Sequence, residues 1–445
     1  MNPVKKITVC VFLFVYAAAF AAAENYSLED FLDRVERYSK DLSMSRQEVQ
    51  KADATVSQAW SALLPTLGLQ AGYTRNVWDI EQSVAVGVDL PTPPAGGFHP
   101  LTRQDMRTNT DNELSLGLGV EQSVFNLKAL AALRASREFR NLSHAAHTEV
   151  ERLIKNIARK AYFATVLLGE VLAVREASEA NNREAFEDMR RQYAAGMARE
   201  LDMLLAEVAW QQSVPAVTQA RRDLENAMIQ IKTLAGIELD QTVELTTPLG
   251  NFPELPQEVS PEESYSRRSD YALLLHQRQL ARISVDLALA DFFPTVSASL
   301  GLARQGYGDK SNLMDTTVDV FQIGVRVALP VYTGGARRNQ LRIDRINLSR
   351  QDTELAKKRD EIQAEISRLY LSLTEARQRI DSSQITVETA QRAYRLVRLA
   401  LANGMATQLE VNTAALRLEE TQLAYYNSVF EYLSLYFDWE KALGI

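Results

Sequence analysis

The sequence predicts a mixed fold, part long α-helical coiled coil and part membrane β-barrel, built from two copies of one structural repeat. Three observations lead there. Three ordered segments recur along the chain, two very long stretches are almost free of helix breakers, and four short segments alternate apolar with small or polar residues.

The recurrence fixes the organisation, because a repeat sets the architecture before any single element is read. LLPTLGLQAGY at 63–73 matches FFPTVSASLGL at 292–302, aligning Pro65 with Pro294. LGLGVEQSVFN at 116–126 matches IGVRVALPVYT at 323–333, aligning Gly117 with Gly324 and Phe125 with Tyr332. YAAGMARELDMLLA at 193–206 matches LANGMATQLEVNTA at 401–414, aligning Gly196 with Gly404. The offsets are 229, 207 and 208, so the first copy carries a connection about 22 residues longer between its first two matches. The reading is a first repeat over 24–236, an inter-repeat segment over 237–262 and a second repeat over 263–445.

Each repeat reads as helix, strand, strand, long helix, helix. Residues 28–63 carry helical periodicity, with Leu28, Phe31, Leu32 and Val35 on one face, and Pro65 follows. Strands are expected at about 66–78 and 113–125, then at about 295–305 and 318–332. In the first pair Leu67, Leu69, Ala71 and Tyr73 alternate with glycine and polar residues, as do Leu114, Leu116, Leu118, Val120 and Val124. Strands of about ten residues with one apolar face are the signature of a membrane barrel, although one-sided soluble sheets alternate too.

The helices separate those alternatives. Residues 128–195 contain no proline and one glycine, Gly169, and residues 336–402 contain neither. At about 1.5 Å per residue each helix is roughly 100 Å long. The apolar positions form a narrow stripe, among them Leu130, Leu133, Val150, Leu153 and Ile157, with charges around the rest, as in coiled-coil walls. Shorter helices are expected over 200–236, kinked at Pro215, and over 407–443. Four strands cannot close a barrel, since the smallest common one has about eight. The chain must therefore oligomerise around an axis.

The N-terminus reads as a secretory leader over 1–23. Lys5 and Lys6 precede the apolar run Ile7–Phe20, and Ala21 and Ala23 stand at cleavage-site spacing. The run is short for a spanning helix. Cys10, the only cysteine, lies within it, and Val9 before it is not the small residue that lipid attachment needs. The processed chain thus has no thiol chemistry. It carries 47 basic and 57 acidic residues, a net charge of −10, which argues against nucleic acid as a partner. No later run offers the ~20 apolar residues of a spanning helix, so a membrane role must use strands.

Catalytic patterns are missing. No phosphate loop, dinucleotide fingerprint or nucleophile elbow is present. His144 and His147 stand at i, i+3 without a second pair, which reads as a solvated helix face. Gly334 and Gly335 read as the turn into the long helix. No cofactor or metal is expected. Gly196 and Gly404 suit sharp helix reversals, and Asp202 and Glu410 occupy equivalent positions six residues beyond them.

The duplication, the proline-led first strand of each half, the paired G-x-x-x-x-L-[DE] tips and the closing YFDWEKALG resemble the TolC family of outer-membrane factors along essentially the whole processed chain. The resemblance implies a homotrimer with a twelve-stranded barrel, four strands from each chain, in the outer-membrane lipid, and a long helical tunnel in the periplasm. It implies extracellular loops at 79–112 and 306–317, and an equatorial belt that includes 237–262. It also implies a passive, non-enzymatic exit channel of a tripartite efflux or type I secretion system. The partners would be a periplasmic adaptor and an inner-membrane pump of RND or ABC type, with the adaptor docking at the tips Gly196, Met197, Gly404 and Met405.

In the family a tyrosine, an arginine and acids near the tips hold the mouth shut, and lumen acids form a selectivity ring. Asp202 matches the lock acid and Glu410 one ring acid. The second ring acid falls on Thr413, the lock arginine on Ala406 and the lock tyrosine on Leu401. Arg199 and Arg398 are the candidate substitutes for the missing arginine. The alternatives are a periplasmic coiled-coil adaptor, which would lack membrane strands, and a secreted hydrolase, which would need a catalytic constellation.

Overall fold

The computed structural model describes residues 24–87, 101–309 and 314–445. The expected leader and the Pro- and Gly-rich centre of the 79–112 loop lie outside the described residues. In chain order the elements are β1 (Glu24–Tyr26), α1 (Leu28–Tyr38), α2 (Lys40–Ser61), β2 (Thr66–Arg75), β3 (Glu81–Gly87), β4 (Leu101–Arg107), β5 (Asn112–Phe125), α3 (Leu127–Ala194) and α4 (Glu200–Ala235). They continue with β6 (Val243–Leu245), α5 (Pro261–Tyr265), α6 (Ser269–Ala290), β7 (Thr295–Gly308), β8 (Thr316–Ala328), α7 (Ala336–Ala402) and α8 (Gln408–Leu443). They group into two compact units, one holding 48–144 and 273–355, the other holding the rest.

The first unit contains a four-stranded antiparallel sheet in the order β2-β5-β7-β8. Residues directly opposite each other share a face, so the register defines both surfaces. Leu69, Leu118, Leu302 and Phe321 form one row across the sheet, and Leu67, Val120, Leu300 and Ile323 form another. Between these rows, on the other face, run Gly68, Gly119, Gly301 and Gln322. Among the described residues nothing covers the apolar rows: Leu69 is 71 % exposed and Ile323 74 %. Towards the β3–β4 end the apolar face closes with the fork-to-fork pair Arg304–Asp319, at 2.6 and 2.7 Å. Among the described residues, strands β2 and β8 each have one partner, leaving two open edges.

The region expected as an extracellular loop, 79–112, carries a hairpin of its own. Strands β3 and β4 pair from Glu81↔Arg107 to Gly87↔Leu101. The intervening turn formers hid the two seven-residue segments from a reading by composition. The hairpin is pinned at its foot. Arg107 bridges Asp79 at 2.8 Å, Asp309 at 3.4 Å and Asp111. Asn76 donates to the Thr110 carbonyl and the Glu113 carboxylate.

A second departure concerns the first helix. Residues 28–63, expected as one helix, form α1 and α2 with a break at Ser39, which is extended at φ −60°, ψ 124°. The Ser39 hydroxyl takes the Leu42 N–H at 3.5 Å while its own N–H continues to the Val35 carbonyl at 2.9 Å. Serine competes well with helical backbone for such bonds. By contrast α4 continues through Pro215 as one helix.

The second unit is held by an aromatic core. Phe31, Tyr162, Phe163 and Phe437 pack in series, with ring centroids 5.6, 5.5 and 5.7 Å apart. The buried Tyr162 hydroxyl donates to the Tyr26 carbonyl at 2.8 Å and accepts the Thr247 N–H at 3.0 Å. It thereby fixes β1, which pairs in parallel with β6 of the inter-repeat segment. The C-terminal end of α8 is tied by Arg268, 7 % exposed, which donates to the Ala442 carbonyl at 2.8 Å and pairs with Asp270 and Glu365. Lys358 also reaches Asp270, at 2.9 Å. Burial alone would raise the Asp270 carboxyl, but hydrogen bonds from Arg268 and Lys358 outweigh it and hold the group well below the usual carboxylate range.

Two predictions follow from this packing. Leu118→Arg places a charge in an apolar row and should cost about 2–4 kcal/mol near the membrane midplane, whereas Gly119→Arg falls on the opposite face; equal tolerance of the two in an outer-membrane folding assay would contradict the register. Because the folded-state pKa of Asp270 is depressed, its contribution is present above the ordinary carboxylate range and is lost as pH falls towards the lowered value. Asp270→Asn should therefore destabilise the second unit at pH 7 by on the order of 2 kcal/mol and reduce its acid sensitivity. Thermal unfolding at pH 7 and pH 3 measures both; an unchanged difference between the two pH values would contradict the assignment.

Candidate functional site

The two helical hairpins end in nearly superposable turns. Gly196 and Gly404 both sit at φ 71°. Met197 N–H bonds the Gln192 carbonyl and Met405 N–H the Ala400 carbonyl, each at 2.8 Å, while the glycine N–H groups bond Tyr193 and Leu401 at 2.9 Å. These are paired six-residue and four-residue closures that satisfy the last helical carbonyls, with glycine taking the left-handed position. Neither glycine has a neighbour a Cβ would strike, so backbone conformation alone demands it. Met197 and Met405 project from the turns and are 74 % and 76 % exposed.

The acids beyond the turns are engaged, each differently. Asp202 receives a two-pronged bond from Arg199, Nε at 2.9 Å and Nη2 at 3.0 Å. Glu410 closes the N-terminus of α8: its carboxylate accepts from the Thr407 N–H at 2.7 Å, while the Thr407 hydroxyl accepts the Glu410 N–H at 3.3 Å. This is a capping box, which also stabilises negative charge at a helix start. Hydrogen bonds from the Thr407 backbone and hydroxyl pull the Glu410 carboxyl below its ordinary value. Arg398 lies 3.9 Å from Glu184 and stacks over Tyr394. Arg199 and Asp202 are thus brought together within one protomer, and neither arginine pairs with Glu410. Thr413 bonds back to the Leu409 carbonyl at 2.8 Å.

Sequence reasoning missed a set of ties between the two hairpins. Asn412 of α8 donates to the Leu205 carbonyl of α4 at 3.2 Å, and the buried Gln408 donates to Asn412 at 2.8 Å. Glu419, 9 % exposed, pairs with Arg175 and accepts from the Ser178 hydroxyl at 2.5 Å, both on α3. The signal was present, because Glu419 falls eight residues after Val411 on the buried stripe of α8. A cleft of about 340 Å³ beside this tie is lined by Arg175, Asn182, Leu205, Leu416 and Glu419. His147, read as solvated, bonds the Ser45 hydroxyl at 2.7 Å. Among the described residues no three His, Cys, Asp or Glu side chains gather in a way that could hold a metal ion.

A sheet with one apolar face and two open edges, combined with paired long helical hairpins, defines a membrane-channel protomer rather than an enzyme. The chain belongs to the outer membrane efflux protein family, whose model matches residues 32–237 and 261–429. It is 23 % identical to the alkaline protease secretion protein AprF of Pseudomonas aeruginosa, over 75 % of this chain and 70 % of AprF. It is 22 % identical to the outer membrane protein TolC of Escherichia coli, over 91 % of this chain and 79 % of TolC. Among solved structures, the Campylobacter jejuni CmeC outer membrane channel superposes with a TM-score of 0.77 at 17 % identity, covering 94 % of this chain and 85 % of CmeC. The chain is therefore an outer-membrane channel of the TolC type, a trimer with a barrel in the outer membrane and a helical tunnel in the periplasm.

The buried tie is testable by a double-mutant cycle. Glu419→Leu or Arg175→Leu alone leaves a charge unpaired and should cost about 1–3 kcal/mol, while the double substitution should cost less than the sum of the two. Strict additivity in thermal unfolding would show that the pair is not coupled.

Proposed function

We propose that this channel is the passive exit duct of a tripartite efflux or type I secretion system. A periplasmic adaptor docks at the tips Gly196, Met197, Gly404 and Met405, and an inner-membrane pump of RND or ABC type supplies the energy. The observation that carries the reading is the small-residue face of the sheet. Its central rows are Gly68–Gly119–Gly301–Gln322 and Gln70–Gly117–Ala303–Val320. They bear no charge and nothing bulkier than glutamine, and they floor a groove of about 420 Å³ in which Glu121 of the adjoining row is the one charged lining residue. Such a wall offers a cargo no strong site to stick to, which suits conduction of varied small molecules or an unfolded polypeptide. Discrimination then belongs at the periplasmic mouth, where the acids are.

At that mouth the Arg199–Asp202 and Arg398–Glu184 pairs hold the hairpin ends in their resting arrangement. Glu410, repeated by three-fold symmetry, attracts cations to the opening. Arg398→Ala should raise single-channel conductance in planar bilayers, and Glu410→Ala should weaken block by multivalent cations. Since the Glu410 carboxyl is depressed, the block should persist below the ordinary glutamate range and fade only as pH falls through the lowered value. Recordings in which both variants match the parent in conductance and in cation block would rule this gate out.

A further inference from the structure

The first turns of both long helices are basic in a chain that is acidic overall. Residues 127–143 of α3 hold four basic side chains against one acid, and residues 336–350 of α7 hold five against one. Further along, the two signs nearly balance in both helices. The placement is duplicated: at the offset of 208 that relates the two repeats, Arg134 corresponds to Arg342 and Arg137 to Arg345. Surface arginines scattered for solubility would not repeat in this way.

On α7, Arg338, Arg342 and Arg345 stand at i, i+4 and i+7, one stripe of the helix surface. All three are exposed, as is Arg134, and among the described residues none of the four lies in a salt bridge. The stripe sits directly after the membrane strands. Between β8 and α7 the chain presents Val331 and Tyr332, 88 % and 85 % exposed, and the equivalent of Tyr332 in the first repeat is the exposed Phe125. Two cations already rest on aromatic rings at this level, Arg137 over Trp60 at 5.6 Å and Arg337 over Phe292 at 5.1 Å. Aromatic rings at the end of an apolar band mark a membrane–water boundary. At 1.5 Å per residue Arg338 to Arg345 extend about 10 Å along the helix, comparable to the headgroup layer. The exposed apolar pair Ile343 and Ile346 lies about 100° around the helix from the stripe. A seam with the next protomer through those isoleucines leaves the arginines uncovered.

We propose that Arg338, Arg342 and Arg345, with Arg134 of the first repeat, form a basic collar that binds the anionic headgroups of phospholipids in the periplasmic leaflet of the outer membrane. The guanidinium fork matches a phosphate diester, and Arg338 follows ten residues after the end of β8, so a lipid whose acyl chains lie on the apolar face of the sheet would bring its headgroup to this level. Binding of this kind falls with salt over the Debye length.

The test is lipid retention by the detergent-extracted trimer, equilibrated with equal phosphatidylglycerol and phosphatidylcholine and weighed by native mass spectrometry. The parent should retain phosphatidylglycerol preferentially, and the preference should shrink as salt rises. Each arginine removed should reduce relative retention by roughly five-fold, in Arg342→Gln alone and further in Arg338→Gln/Arg342→Gln/Arg345→Gln. The distant Arg222→Gln should match the parent. If the triple variant does not trimerise, the single variant decides. Unchanged retention in Arg342→Gln would overturn the proposal. A shift in ion selectivity in planar bilayers without a change in retention would place the stripe in the lumen and overturn it too. So would arginine-dependent capture of soluble peptidoglycan fragments without any lipid preference.

Discussion

An apolar sheet face that none of the described residues covers is the constraint on which this structure depends. Leu67, Leu69, Ile323, Val325 and Val327 are all largely exposed, on a sheet whose outer strands β2 and β8 each lack a second partner among the described residues. Exposed apolar surface and open edges together are an aggregation hazard in water. Lipid removes the first and strand pairing with further copies removes the second. In the hydrocarbon region every backbone polar group must be satisfied internally, so the sheet has to close. The trimeric barrel of the family is the closure that four strands per chain permit.

The helical part solves a different problem. Narrow apolar stripes bury little per turn, so the second unit concentrates its core around Tyr162, Phe437 and Tyr432 and adds polar ties where apolar contact thins out. Arg268 with the Ala442 carbonyl, Asn156 with the Phe437 carbonyl, and Arg175 with Glu419 each bind α8 to elements far away in sequence. Such ties are directional, and a buried pair that loses one member leaves an uncompensated charge. They hold the register of helices whose sequences would otherwise allow sliding.

Much of this was legible in advance because it rests on period and punctuation. Two-residue alternation located β2, β5, β7 and β8, and the absence of proline, with Gly169 the one glycine in α3 and none in α7, located the long helices. Gly196 and Gly404 located the turns, since a left-handed residue at a helix end leaves few alternatives. What could not be read depends on side chains choosing partners. Ser39 breaks a helix as its hydroxyl takes the Leu42 N–H, although the surrounding periodicity runs straight through it. The β3 and β4 segments look like loop because their alternation is short and polar. The partners of Asp202 and Glu410 were open for the same reason: spacing placed both acids beyond the turns, but only geometry shows one held by Arg199 and the other by Thr407.

The central claim is that the sheet closes by pairing β8 of one protomer with β2 of the next. The sequence has one cysteine, Cys10, so with that residue changed to serine, single cysteines introduced on the free edges of β2 and β8 report that contact without background. Oxidation of detergent-solubilised protein should yield covalent dimers and trimers, with a native mass three times that of one chain. A protein that stays monomeric and soluble without detergent, and forms no such cross-link, would contradict the account.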